Sequence, residues 1–370
     1  MMSVNHPSAY LHKDCVQRIR EDTALAEQTG ALSPAQLNLI YEREWFKALV
    51  PKVYGGLELS LPELLRLEEA LSWADGSLGW VVTLCCGAGF FGGFLHPDLA
   101  KTVFASPDVC LAGSGAPTGT ATVSDSGFII NGRWRHASGA RHATHLTANC
   151  LIKAGEHVVS NPDGKPLILP FVFDRKDVSI LPAWKYTGMI STGSDAFEVT
   201  DLYVPSGRCF KISPDAAVID SPLYRYPFMQ LAETTLAVNL SGMAVHFADL
   251  CGPLFEQKIV QKKLSVRQTD YLNNTLNQTL ELLEQARHSF FESADRSWDA
   301  LTGQSAGAFQ TLLKSVSWAS HSLAKRALKA VDELYPYCGL EAAQQDTDIN
   351  RVWRDIHTAS QHALLTFPAE

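Results

Sequence analysis

The sequence predicts an α+β chain in three parts: an N-terminal α-helical domain (1–106), a middle β-barrel or sandwich domain (107–215) and a C-terminal four-helix bundle (216–370). Three observations carry that reading. Apolar residues recur at helical spacing up to about Ser106. Short β-branched and aromatic runs then alternate with turn residues. Two long stripes at i, i+3/i+4, i+7 spacing follow.

In the first part Leu64, Leu67 and Leu71 share one helical face. Ser60-Leu-Pro-Glu63 reads as a capping box with proline in the first turn, so a helix starts there. Leu78 to Leu95 carries no charge and five glycines. It is short for a membrane span of roughly 18–20 residues and has no basic flank, so the expectation is a buried core helix. The middle part holds FIING, HLTANCLI, LILPFVF and FEVTDLYVP, punctuated by Gly and Pro. In the third part Leu272, Leu276, Leu280, Leu283 and Phe290 mark one stripe, and Leu312, Val316, Ala319, Leu323, Ala327, Ala330 and Leu334 another. A further helix covers Gly242, and a last one starts near Asp348 as N-cap.

Composition excludes several classes. Hydrophobic residues make up 46% and charged residues 19%, too apolar for a disordered chain. The net charge is −8 with no basic block, which argues against a nucleic-acid partner. The eight cysteines form no CxxC pair and no zinc-ligand spacing, so no metal is expected and the chain reads as reduced and cytoplasmic. Residues 1–20 lack the apolar run of a secretory signal. P-loop, GxGxxG, HExxH and GxSxG motifs are absent.

Four stretches in order resemble the acyl-CoA dehydrogenase superfamily: Phe46 to Ser60 with Tyr54-Gly55-Gly56, Leu67 to Ser77, Gly127-Phe-Ile-Ile-Asn-Gly132, and Asn350-Arg-Val-Trp-Arg-Asp355. Arg133-Trp-Arg-His-Ala-Ser-Gly-Ala-Arg-His-Ala143, Gly188 to Ser194 and Val199 to Pro205 resemble the branch of flavin-dependent monooxygenases that share this fold. The resemblance implies FAD, with FMN as the other candidate, held between the β-domain and the bundle of a homotetramer. It also implies a separate flavin reductase and a small organic substrate, aromatic ones included, with neither nucleic acid nor membrane as partner.

The resemblance assigns site residues. His362 stands where the monooxygenase branch has its histidine and would handle the proton, on one helical face with Arg354 and Thr358. Ser138 falls where a hydroxyl or backbone group meets the flavin, followed by Gly139, with Thr192 in the matching T-G-S motif. His136 replaces an aromatic at the flavin face, and Ser114 lies in the glycine-rich loop Gly113–Gly119. Arg354 is a cofactor-binding candidate. Arg133, Arg135, Arg141 and His142 form a basic cluster fit for a phosphate or an anionic substrate, or else solvated strand ends; Arg141 and His142 are its substrate-binding candidates.

A dehydrogenase needs a carboxylate base, and its family position falls on Ala363. Glu233 is the alternative base, against a plain exposed helix carboxylate. Ile190, Cys338-Gly339, the segment after Lys263 and the histidine-free stretch Leu84–Phe91 depart from the family patterns. The reading is therefore a monooxygenase. An acyl-CoA dehydrogenase is the alternative, and a silent flavin- or acyl-CoA-binding scaffold is the third.

Overall fold

A computed structural model describes residues 4–303 and 306–367. The N-terminal region holds α1 (Lys13–Glu21), α2 (Thr23–Thr29), α3 (Pro34–Glu42), α4 (Leu61–Ala74), α5 (Gly76–Gly89) and α6 (Pro97–Val103). The expected capping box starts α4: Ser60 Oγ accepts from the Glu63 N–H and Glu63 accepts from the Ser60 N–H at 2.9 Å. Asp75 caps α5, accepting from the Leu78 N–H at 2.7 Å. The uncharged segment forms α5 and a following 3₁₀ turn (Phe90–Gly93), with Leu78, Val81, Val82, Cys85, Cys86 and Phe90 buried in the protein interior.

The central region is one seven-stranded sheet: β1 (Leu111–Ser124), β2 (Gly127–Ala137), β3 (His145–Ala154), β4 (His157–Val158), β5 (Ile168–Asp174), β6 (Ser179–Leu181) and β7 (Asp195–Pro205). The order is β4-β3-β1-β2-β7-β6, with β5 also on β3; β1 and β3 run parallel and the other pairs antiparallel. Trp134 anchors its core, stacked on Phe197 at 5.1 Å between ring centres. The glycine-rich stretch 113–119 is not a loop after a strand but a bulge inside β1. Between Ser114 and Gly119 the strand takes five steps where β3 takes two, and Asn149 Nδ2 holds the excursion by donating to the Gly115 carbonyl at 2.8 Å.

The C-terminal region consists of α7 (Pro222–Arg225), α8 (Phe228–Gln261), α9 (Val266–Thr302), α10 (Ala306–Cys338), α11 (Asp348–Ala359) and α12 (Ala363–Thr366). Three of these are long, of 34, 37 and 33 residues; α11 has 12, so the fourth bundle member is much shorter than its partners. The helix expected to carry Arg354, Thr358 and His362 on one face stops at Ala359. Ser360 closes it through the Ile356 carbonyl, and His362 leaves the helical region with ψ 128° to become the N-cap of α12.

Helices of both terminal regions share one hydrophobic core. At its centre an ion pair is fully enclosed. Arg287 of α9 donates Nε to Glu69 of α4 at 2.8 Å and Nη2 at 2.7 Å, and a further Nη2 bond reaches the Asn5 carbonyl. Ser241 of α8 donates to the same Glu69 carboxylate, so one buried charge joins three helices. Removing one partner strands the other charge, which typically costs about 3–5 kcal/mol. Arg287→Met is expected to lower the unfolding free energy, read from urea titration at pH 7, by that amount; a loss under about 1 kcal/mol would show the pair to be dispensable.

Candidate active site

The end of β2 turns sharply where helices and sheet meet. His136 adopts a left-handed φ of 63° and Gly139 one of 76°, which points Ser138 inward, where it is buried. Trp80 of α5 donates Nε1–H to Ser138 Oγ at 3.2 Å. Ser138 Oγ lies 2.8 Å from Ser194 Oγ, which lies 2.6 Å from Thr192 Oγ1, which donates to the Met189 carbonyl at 2.7 Å. The Gly139 N–H also donates to the Thr192 carbonyl at 2.9 Å.

The directions in this chain are fixed. A carbonyl only accepts and an indole N–H only donates, and each hydroxyl has one proton. Thr192 gives its proton to Met189, so Ser194 gives its own to Thr192, and Ser138 gives its own to Ser194. The Ser138 hydroxyl therefore has acceptor capacity left and no proton to offer.

His362 stands beside this chain. Its ring lies 5.9 Å from that of Trp80 at 62°. Its Nδ1 accepts from the Leu364 N–H at 3.3 Å, which leaves the proton of the neutral ring on Nε2. Burial, then the nearby His136, lowers the His362 pKa below the ordinary imidazole value. His136 meets the loop after β6: Nε2 is 3.0 Å from the Tyr186 hydroxyl and the ring is edge-on to Trp184. Its pKa is also lowered, by burial and by Arg135.

The same loop is clamped to α11. A Cβ on Gly188 would lie 2.0 Å from the Arg354 carbonyl oxygen, so only glycine permits the approach. The Met189 N–H donates to Asp355 Oδ1 at 2.5 Å and Ser77 donates to Oδ2 at 3.5 Å. Burial, then Asp75, pushes the Asp355 carboxyl up to about 7. Arg354 is engaged beside it: Nε donates to Asn350, Nη1 to the Thr187 carbonyl at 2.9 Å, and Nη2 pairs with Glu27.

The structure thus brings together Ser138, Gly139, Thr192, His136 and His362. It keeps Arg354 one layer behind, on α11, bonded to the loop that carries Thr192. Arg141 pairs with the buried Asp195 at 2.7 Å and donates to the Thr29 carbonyl. His142 is pushed down to about 4 by burial and Arg141, and its Nε2 has no partner among the described residues. Arg133 and Arg135 are exposed. Glu233 is not an exposed carboxylate. It is buried between α8 and α10, accepting from Ser317 with His321 at 3.6 Å. Ser114 is half-buried at the start of the β1 bulge, whose residues 115–118 pair with neither neighbouring strand.

Trp80, Ser194 and Asp355 complete the site without having been assigned from sequence. A buried indole N–H requires an acceptor, and that requirement is the one general signal that could have pointed at Trp80. A hollow of about 880 Å³ lined by Lys258, Arg267, Tyr271 and Tyr337 lies at the turn between α8 and α9 and contains none of these groups.

Residues 235–367 match the family model described as acyl-CoA dehydrogenase, C-terminal domain. The indole-3-acetate monooxygenase of Pseudomonas putida is 28% identical, over 86% of this chain and 80% of that protein. The oxygenase subunit HsaA of a flavin-dependent monooxygenase from Rhodococcus jostii (strain RHA1) is 24% identical over 93% and 91%. Among solved structures, the HsaA monooxygenase from M. tuberculosis superposes with a TM-score of 0.86 at 21% identity, over 97% of this chain and 94% of that one. XiaF from Streptomyces sp., in complex with FADH2 and glycerol, gives 0.80 at 22%, over 97% and 93%.

Asp355 is expected to set the Thr192 end of the hydroxyl chain through Met189. Asp355→Ala leaves a buried N–H without a partner and should cost about 1–3 kcal/mol. Asp355→Asn keeps an acceptor and should recover most of that, as read by thermal unfolding of the two variants side by side.

Proposed function

We propose that this chain, which matches the acyl-CoA dehydrogenase C-terminal domain model over residues 235–367, is the oxygenase component of a two-component flavin-dependent monooxygenase. It acts on a small aromatic substrate, takes reduced FAD from a separate reductase, and works as a cytoplasmic homotetramer. The observation that carries the reading is the polarity of the Ser138 hydroxyl. With its proton committed to Ser194, it complements an N–H donor. Reduced flavin presents such an N–H at its central ring, and oxidised flavin presents a bare nitrogen there.

The surrounding groups fit a flavin. Ser138, Gly139 and Thr192 would hold the ring system, His136 would border it, and the β1 bulge that follows Ser114 would meet its polar edge. When bound, the reduced flavin supplies the two electrons that let dioxygen deliver one atom to the substrate and one to water. His362 keeps its proton at Nε2 and offers it as a hydrogen-bond donor in a site closed by Trp80. The two places a dehydrogenase offers for its base support that chemistry less well. Ala363 has a methyl group, and Glu233 is turned to Ser317 and His321 between two bundle helices.

Anaerobic titration of the apoprotein is expected to show reduced FAD binding at least tenfold tighter than oxidised FAD, with FMN tested in parallel. Ser138→Ala should narrow that ratio. Tight binding of oxidised FAD with α,β-oxidation of an acyl-CoA would establish the dehydrogenase instead.

His362 gives a second test. Its lowered pKa keeps the ring neutral at pH 7, and the ring charges only below the usual imidazole range of about 6.5. Product formation should be level from pH 8 to about 6.5 and fall on further acidification. His362→Asn should remove that inflection and cut hydroxylation roughly 10²-fold, with reduced-flavin binding retained. An unchanged rate would sink the assignment.

A further inference from the structure

Helix α5 and the 3₁₀ turn that follows it are apolar and almost wholly buried, yet three residues are only half-buried: Leu84 and Gly87 of α5 and Phe91 of the turn. With Trp80 one turn earlier, they follow i, i+4, i+7, i+11 spacing. A stripe of this kind on an interior helix borders a gap.

Both ends and the far wall of the gap are defined. At one end Trp80 touches His362 and Ser138. At the other, Phe91 packs on Phe210 at 5.3 Å and Phe228 at 5.6 Å. Helix α8 runs alongside, with Asn239 bonded to Thr83 and Phe228 against Phe90; the half-buried Ala232 lies between these contacts.

Gly87 has no packing reason to be glycine. A Cβ there would meet nothing within 4 Å, whereas one on Gly79 of the same helix would lie 2.6 Å from the Ser72 backbone. The Gly87 backbone is not left-handed. Alanine would fit and would firm the helix, since glycine is a poor helix former. The glycine weakens the helix and leaves open space.

We propose that Gly87 is the size gauge of the substrate cleft, and that the cleft takes a flat, fused bicyclic aromatic whose buried end is uncharged. The inference rests on the monooxygenase reading. From Leu84 to Phe91 the stripe is about 10 Å long by helical rise, and its side chains are all apolar. A ring system lying along it reaches from the hydroxyl-and-imidazole end to the aromatic end, and a single-ring compound fills part of it.

The test uses Gly87→Ala and Gly87→Leu, with phenol and 2-naphthol as probes in anaerobic equilibrium dialysis with reduced FAD. Wild type should bind 2-naphthol more tightly than phenol. Gly87→Leu should weaken 2-naphthol at least tenfold and phenol less than threefold. Gly87→Ala should raise the melting temperature while weakening 2-naphthol about threefold, which keeps the test decisive if the leucine variant does not fold.

Reduced FAD should bind both variants within twofold of wild type. Unchanged 2-naphthol binding in the variants, equal loss of both probes, or a wild type that prefers phenol would overturn the gauge. Failure of wild type to bind reduced FAD would overturn the monooxygenase reading instead, and dialysis without flavin then reads the gauge alone.

Discussion

The backbone of one loop lies directly on the backbone of α11, and the candidate site depends on that contact. Gly188 sits so close to the Arg354 carbonyl that no side chain fits. Asp355 takes the Met189 N–H at the next residue. Met189 then receives the Thr192 proton, and the chain passes through Ser194 to Ser138 and Trp80. A carboxylate on a short terminal helix therefore orients a hydroxyl on the sheet through groups drawn from all three regions of the chain. The adjacent arginine binds the same loop at Thr187 and also α2 at Glu27, so the pair of residues fixes position while the hydroxyls fix polarity.

Polarity is what separates this site from a generic polar cleft. Hydroxyls are ordinarily ambivalent, and a single buried serine can donate or accept. Terminating the chain on a carbonyl at one end and an indole at the other removes that ambivalence. The imidazole beside it is treated the same way, since the Leu364 N–H occupies Nδ1 and burial disfavours charging the ring. Every proton in the cluster thus has an assigned place before any ligand enters, which avoids reorganisation at the moment of reaction.

The secondary structure was largely legible because it rests on local signals. The Ser60–Glu63 capping box, the leucine stripes of the bundle and the β-branched runs each report their own neighbourhood. The buried fate of the uncharged segment followed from its length and glycine content. Ser138, His136, Gly139, Thr192 and His362 came from motif resemblance, and the fold gathers them. Three features lay beyond either source. Helix α11 ends before His362 because its C-cap is made within residues 356–362, a region with no glycine or proline to announce a stop. The glycine-rich stretch reads as a loop, and only pairing with β3 reveals it as a bulge. Glu233 reads as a surface carboxylate because Ser317 and His321 are about 85 residues away in sequence.

The glycines of α5 show why such limits are physical. Gly79 and Gly87 look alike in sequence, both set among apolar residues of one helix. One is demanded by the backbone of α4 at Ser72, and the other faces empty space. A helical glycine costs about 0.5–1 kcal/mol relative to alanine. At Gly79 that cost is offset by close helix packing. At Gly87 no contact offsets it, so the compensation has to come from what occupies the space, and a fold optimised for stability alone would carry alanine there. Stability and cleft volume thus oppose one another at a single position, and the direction of that conflict follows from the atoms around it.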